Sequence, residues 1–147
     1  MNDSRYAFRK HFYQNAGFRY VITKNKDNKK MDIYESDVLV SQYCEFQYGD
    51  TYFGVKNFAC ECAKIASKFT INTTKALDLG CATGRATYEL AKTFDIVEGI
   101  DFSVRFVQVG TNLKENGIVR FQSPNEAELF IDKKITIEEL GYENLKE

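Results

Sequence analysis

Between residues 57 and 117 the apolar positions of this chain alternate between the spacing of a helix and the spacing of a strand. Phe58, Cys62, Ile65, Ala66 and Phe69 recur on one helical face, which predicts an amphipathic helix over 57–69 whose stripe is buried. Lys75–Leu79 reads as a strand, 85–94 as a helix, 96–100 as a second strand and Val104–Asn116 as a further helix, with Ser103 placed to cap its start and Gly117 to end it. Strands and helices in this order predict a parallel sheet with covering helices. Upstream, 18–22 is strand-like, 23–30 is a polar loop without apolar period, 37–46 has helical period with Ser36 or Asp37 as its cap, and Tyr48-Gly49-Asp50-Thr51 reads as a turn. Downstream the alternation stops. Short strands at 119–122 and 128–131 flank Ser123-Pro124-Asn125-Glu126 and predict a hairpin, and Thr136-Ile137-Glu138-Glu139 has the capping-box pattern of a short terminal helix.

The chemistry sits where the two central strands end. Lys75–Leu79 runs into Gly80-Cys81-Ala82-Thr83-Gly84-Arg85, a small-residue turn whose backbone N–H groups can approach a ligand without interference from Cβ atoms. The second strand ends on Asp101-Phe102-Ser103, and Asp101 lies 17 residues beyond Gly84. That is close to the ~20 residues that separate a glycine turn from a ribose-binding acid in a βαβ unit. Together these features read as a nucleotide-type cofactor site. A dinucleotide fingerprint needs a third glycine where Arg85 stands, which argues against a nicotinamide oxidoreductase. The competing reading is that Gly80 and Gly84 only shape a tight turn and Asp101 only caps the next helix.

Length and composition permit one domain with a real core: 147 residues, 44% hydrophobic and 28% charged. A net charge of −1 gives no overall pull toward nucleic acid or membrane. Charge is uneven, since residues 1–30 hold eight basic residues against two acidic and residues 122–147 hold seven acidic against three basic. Two solvated faces explain this better than a nucleic-acid patch, because the basic residues form no tract. No apolar run reaches the ~18 residues of a membrane span, and the first residues lack the apolar core of a secretion signal, so a cytoplasmic protein is expected. Cys44, Cys60, Cys62 and Cys81 form no disulfide framework, and Cys60-x-Cys62 with a single histidine, His11, makes no metal set; Cys62 is expected in a core and Cys81 in a crowded turn.

The pattern Asp78-x-Gly80-x-Ala82-x-Gly84 with Asp101 resembles the class I S-adenosylmethionine-dependent methyltransferases. A narrower resemblance rests on Phe12-Tyr13-Gln14-Asn15-Ala16-Gly17-Phe18-Arg19-Tyr20, Tyr34-Glu35-Ser36-Asp37, Phe46-Gln47-Tyr48-Gly49 and Tyr52-Phe53-Gly54-Val55-Lys56-Asn57-Phe58. With the glycine turn these motifs are similar to the C-terminal methyltransferase domain of ovothiol biosynthesis, over about residues 12–145. The resemblance implies S-adenosyl-L-methionine as cofactor, a small mercaptohistidine-type substrate methylated on an imidazole nitrogen, and cofactor contacts from Asp78, Gly80, Cys81, Ala82, Gly84, Arg85, Asp101, Phe102 and Ser103. It assigns no catalytic residue and no metal. Tyr34, Tyr43, Tyr48 and Tyr52 are candidates for an acceptor lid, beside the reading that they are ordinary core and surface aromatics.

The fold implied is α/β, the N-terminal half of a Rossmann-like methyltransferase, with an aromatic-rich extension and lid helices over 1–70, a partial cofactor-binding unit over 71–147 and a hairpin insertion. Such domains usually have seven strands, and only two parallel strands are legible here. The expectation is therefore a fragment of a longer protein, the other reading being a reduced homologue completed by self-association or by another chain, and the alternative function is a non-catalytic piece that acts through association with another chain.

Overall fold

The computed structural model describes residues 11–13, 16–21, 32–49, 51–124 and 129–142. In chain order its elements are β1 (His11–Tyr13), β2 (Ala16–Tyr20), a short 3-10 helix (Asp32–Glu35), α1 (Asp37–Tyr48), α2 (Phe58–Phe69), β3 (Lys75–Leu79), α3 (Arg85–Ala91), β4 (Ile96–Asp101), α4 (Val104–Asn116), β5 (Ile118–Pro124) and β6 (Phe130–Thr136). The polar loop expected over 23–30 lies outside the described residues.

Local chemistry sets most of these boundaries. Ser36, Asn57 and Ser103 each accept a hydrogen bond from the backbone N–H three residues on, at Leu39, Cys60 and Phe106, and so start α1, α2 and α4. Gly117 ends α4 in the left-handed conformation at φ 71°. Helix α3 stops three residues earlier than its apolar pattern suggests, because Thr93 and Phe94 both turn back to the carbonyl of Leu90. At the C-terminal side the capping box forms, with Thr136 N–H on Glu139 and Glu139 N–H on Thr136 Oγ1, but it opens a turn rather than a helix. Gly141 adopts φ 70° there, and Tyr142 returns its N–H to Ile137.

The sheet has the order β1-β2-β4-β3. β3 and β4 are parallel, with Leu77 opposite Glu98, as the crossover through α3 requires. A third parallel strand comes from upstream: β2 lies along the other side of β4 with Phe18 opposite Gly99, and β1 folds back antiparallel at the outer edge. The sheet thus draws strands from both sides of residue 70. β5 and β6 form a separate antiparallel pair that packs on α1 and α4.

One sheet face carries the core. Ala16, Phe18 and Val97 are buried on it, and α3 and α4 lie across it. The Phe18 ring sits 5.3 Å from Tyr88 and fills the space where side chains on Gly84 and Gly110 would begin, 2.5 and 2.9 Å from its Cε1. Tyr88 donates its hydroxyl to the Gly110 carbonyl and stacks on Tyr142, which ties the terminal turn to the same core.

The apolar stripe of α2 is a correction to the expectation. Ala59 and Ala63 are the buried residues of α2, whereas Phe58, Cys62, Ile65, Ala66 and Phe69 are exposed. The helix packs on α3 through its small residues, so amphipathicity marks an apolar face without saying what lies against it. Among the described residues no helix is long and apolar enough to cross a membrane.

The Phe18 wedge makes a stability prediction. Replacing it with alanine should cost about 3–5 kcal/mol, since a buried aromatic is lost and the cavity lies between two helices and the sheet. Urea unfolding of Phe18→Ala measures this, and a loss under ~1 kcal/mol would mean that β2 is not docked as described.

Candidate functional site

Strands β3 and β4 end side by side, and the turn after β3 meets the acid that ends β4. Gly80 and Cys81 both return their N–H groups to the Ile100 carbonyl, which keeps the turn folded over the strand ends. Gly80 adopts φ 76° and Ala82 φ 47°, an uncommon conformation for a residue with a side chain. Apart from Gly80 itself and its two chain neighbours, no heavy atom lies within 4 Å of where a Gly80 Cβ would sit, so this backbone opens to space. Gly84, at φ 96°, is different: its lack of a side chain is consumed by Phe18. Its glycine serves packing, where the sequence pattern suggests ligand access.

Asp101 is buried and engaged on both oxygens. Oδ2 accepts the Ala82 N–H and Oδ1 accepts the Ser103 N–H, each at 2.9 Å. The acid therefore pins the glycine turn to the start of α4. Each carboxylate oxygen has a second lone pair, so ligand hydroxyls can still be accepted. Asp78, on the helix-facing side of β3, accepts a 2.7 Å bond from Thr87 Oγ1 and secures the first turn of α3. Burial raises its pKa and the nearby Asp101 charge adds to this, against the hydrogen bond from Thr87.

The remaining expected residues divide by direction. Cys81 is buried in the turn, its thiol pushed up by burial and by the charges of Asp78 and Asp101. Phe102 is exposed beside Tyr34, at 5.1 Å. Ser103 caps α4 and donates its hydroxyl to the Tyr34 carbonyl. Arg85, expected at the cofactor, turns into the interior instead. Its Nε lies 3.2 Å from Cys60 Sγ, it pairs with Glu89 at 3.1 Å, and it lies over the rings of Tyr48 and Tyr142. Cys62, expected in a core, is exposed.

Several site residues lie far from the glycine turn and the strand-end acid in sequence. Gln47 Oε1 accepts from Thr83 Oγ1 and from the Arg85 N–H, and Tyr48 donates to the Thr83 carbonyl, so the end of α1 closes the N-terminus of α3. Glu35 does the same for α4, its carboxylate accepting from Val104 and Arg105. Arg105 returns to the Glu35 carbonyl and to Asp37. These partners lie 35–70 residues apart in sequence, beyond any local pattern, although both lie within the upstream motifs that carry the family resemblance. The four lid tyrosines separate: Tyr34 and Tyr43 join Phe102 and Phe106 in one aromatic cluster, Tyr48 is buried, and Tyr52 is exposed with its hydroxyl on Glu45. Tyr52 also lines a cavity of about 420 Å³ with Glu45, Phe46, Asn57 and Phe58.

The arrangement favours positioning over acid–base chemistry. Burial raises the Tyr48 phenol far above its ordinary range and the Cys44 thiol to about 12, so neither supplies an anion at neutral pH. The Gly80 and Cys81 N–H groups are already given to Ile100, so what the turn leaves to a polar ligand is the space over Gly80 and the second lone pairs of the buried Asp101 oxygens.

Two outcomes follow from this geometry. Asp101→Ala leaves two buried N–H groups without acceptors and should lower stability by about 2–4 kcal/mol, measured by urea unfolding; an unchanged midpoint would show that the turn does not depend on the acid. Glu89 is raised by burial but lowered more by bonds from Tyr142 and Lys92 and the charge of Arg85, so its folded pKa lies below the ordinary value. Its contribution is present above the unfolded carboxylate pKa and lost as pH falls through the folded one. Glu89→Gln should thus be less stable than the parent at pH 7, the gap closing below about pH 4 in thermal melts. A gap independent of pH would show that charge is not involved.

No protein-family model matches the chain and no curated protein matches it, so the functional reading rests on this geometry and on the motifs themselves.

Proposed function

We propose that the chain is an S-adenosylmethionine-dependent methyltransferase, or a piece of one, acting on an imidazole nitrogen of a mercaptohistidine-type small molecule. The observation that supports this reading best is the meeting of the open Gly80 turn with Asp101 at the ends of two adjacent parallel strands. Ligands of open α/β sheets lie outside the carboxyl ends of the strands, where this turn stands.

The residues present fit such a cofactor in two respects. The space at Gly80 admits a ligand against backbone, and Asp101 keeps acceptor capacity for ribose hydroxyls. Bound there, the cofactor supplies an electrophilic methyl group on a sulfonium. The protein's part is to hold the acceptor nitrogen in line with the methyl carbon and to exclude water, since a mercaptoimidazole nitrogen is already a competent nucleophile. The Tyr34, Tyr43, Phe102 and Phe106 cluster beside Asp101 provides an apolar wall for that purpose. The end of α1, held to the turn through Gln47 and Tyr48, fixes the wall's distance from the strand ends.

Titration calorimetry tests the cofactor assignment. Saturable S-adenosylmethionine binding is expected, weakened tenfold or more in Gly80→Val and in Asp101→Asn, each checked for folding by circular dichroism. Loss of hydrogen bonds to a charged group is worth ~1.5–3 kcal/mol, which corresponds to roughly 10- to 150-fold in affinity. No binding, or equal binding by all folded variants, would overturn the assignment. A second reading, a non-catalytic piece acting through another chain, is favoured by one observation: β3 ends the sheet with no strand beyond it among the described residues.

A further inference from the structure

Gln47, in the last turn of α1, is 7% exposed and uses only one end of its side chain. Oε1 accepts from Thr83 Oγ1 at 2.7 Å and from the Arg85 N–H at 3.1 Å. Those two bonds fix which way the carboxamide faces. A backbone N–H can only donate, so a flipped amide would set the Nε2 donors against the Arg85 N–H. The residue's backbone is held as well, because Asn57 Nδ2 donates to the Gln47 carbonyl and the neighbouring Tyr48 donates to Thr83.

Nε2 is left over. Among the described residues it has no acceptor. It is not sealed in the interior either, since the one fully occluded side-chain N or O atom without a partner among those residues is Glu45 Oε2. A buried amide that is locked by its oxygen thus presents two N–H donors to open space beside the glycine turn. Buried polar groups are normally paired, and an ionised oxygen is the acceptor that pairs such donors most strongly. The Arg85 guanidinium does not compete for that oxygen, because it is committed to Cys60 and Glu89.

The turn therefore has opposite hydrogen-bonding character on its two sides. Asp101 grips Ala82 and offers acceptor lone pairs, whereas Gln47 grips Thr83 and Arg85 and offers donors. We infer that Gln47 Nε2 binds the amino-acid carboxylate of the cofactor and makes the site select for it. The inference rests on the methyltransferase reading and deepens it. S-adenosylmethionine carries both groups that the two sides call for, ribose hydroxyls for Asp101 and a carboxylate for Gln47. A mercaptohistidine-type acceptor carries the same carboxylate without the hydroxyls.

The side-chain amide signals of Gln47 test this in the unmodified chain. In isotope-labelled protein, with the signals identified by their loss in Gln47→Glu, they should move downfield on saturation with S-adenosylmethionine. Decarboxylated S-adenosylmethionine, which keeps the adenosine and the sulfonium, should leave them in place. By calorimetry the parent should prefer the carboxylated ligand by about tenfold or more, the worth of a hydrogen bond to a charged group. Gln47→Met, which removes the donor without adding charge, should abolish that preference. Gln47→Glu, which keeps an acceptor for Thr83 and Arg85 but turns an anion outward, should reverse it. If neither ligand binds, the cofactor assignment falls and this inference with it. If both bind the parent equally, or the variants weaken both ligands equally, the cofactor assignment stands and the role of Gln47 is overturned. An amide shift with histidine but not with S-adenosylmethionine would place the acceptor's carboxylate there and overturn it too.

Discussion

A single aromatic ring determines how the two halves of this chain meet. Phe18 occupies the space that side chains at Gly84 and Gly110 would need, and it rests against Tyr88. That contact seats β2 beside β4, sets the spacing between α3 and α4, and brings the upstream third of the chain onto the glycine turn. Gly84 and Gly110 are therefore complements of one distant phenylalanine. Interiors are packed too densely for such a wedge to be replaced without loss.

The candidate site is built on polar contacts that the wedge makes reachable. Once the upstream segment is docked, Gln47 and Tyr48 reach the turn before α3, and Glu35 and the Tyr34 carbonyl reach the start of α4. Both helix N-termini are thereby satisfied from within the chain, as buried backbone donors must be. What the turn itself leaves to a ligand is narrower than the glycine motif suggests: the space over Gly80 and the spare acceptor capacity of Asp101. Asp101 serves structure first, since it joins Ala82 to Ser103, and any cofactor role is added to that duty.

The exposed apolar surface is the other side of the same architecture. Helices α3 and α4 lie on one face of the sheet, α3 as the crossover from β3 to β4 and α4 packed back on β2 and β4 as the chain leaves the sheet for the β5–β6 pair. Among the described residues the second face of the sheet at Leu77, Leu79 and Ile96 stays exposed and no strand pairs with the outer edge of β3.

Much of the element pattern was legible locally. The capping serines, the left-handed Gly117, the strand Lys75–Leu79 and the run from Ile96 to Asp101 follow from spacing and side-chain chemistry within a few residues, and so does the meeting of glycine turn and acid. Local reading had no means to place β2 in the sheet, to send Arg85 toward Cys60 and Glu89, to assign Gly84 to Phe18, or to show that the α2 stripe stays exposed. Periodicity and capping depend on neighbours three or four residues away, whereas those four outcomes depend on partners brought together only when the core closes. The sequence by itself determined where the elements begin and which faces are apolar; the tertiary structure decided what each face meets, because burial is a property of the packed chain and not of the pattern.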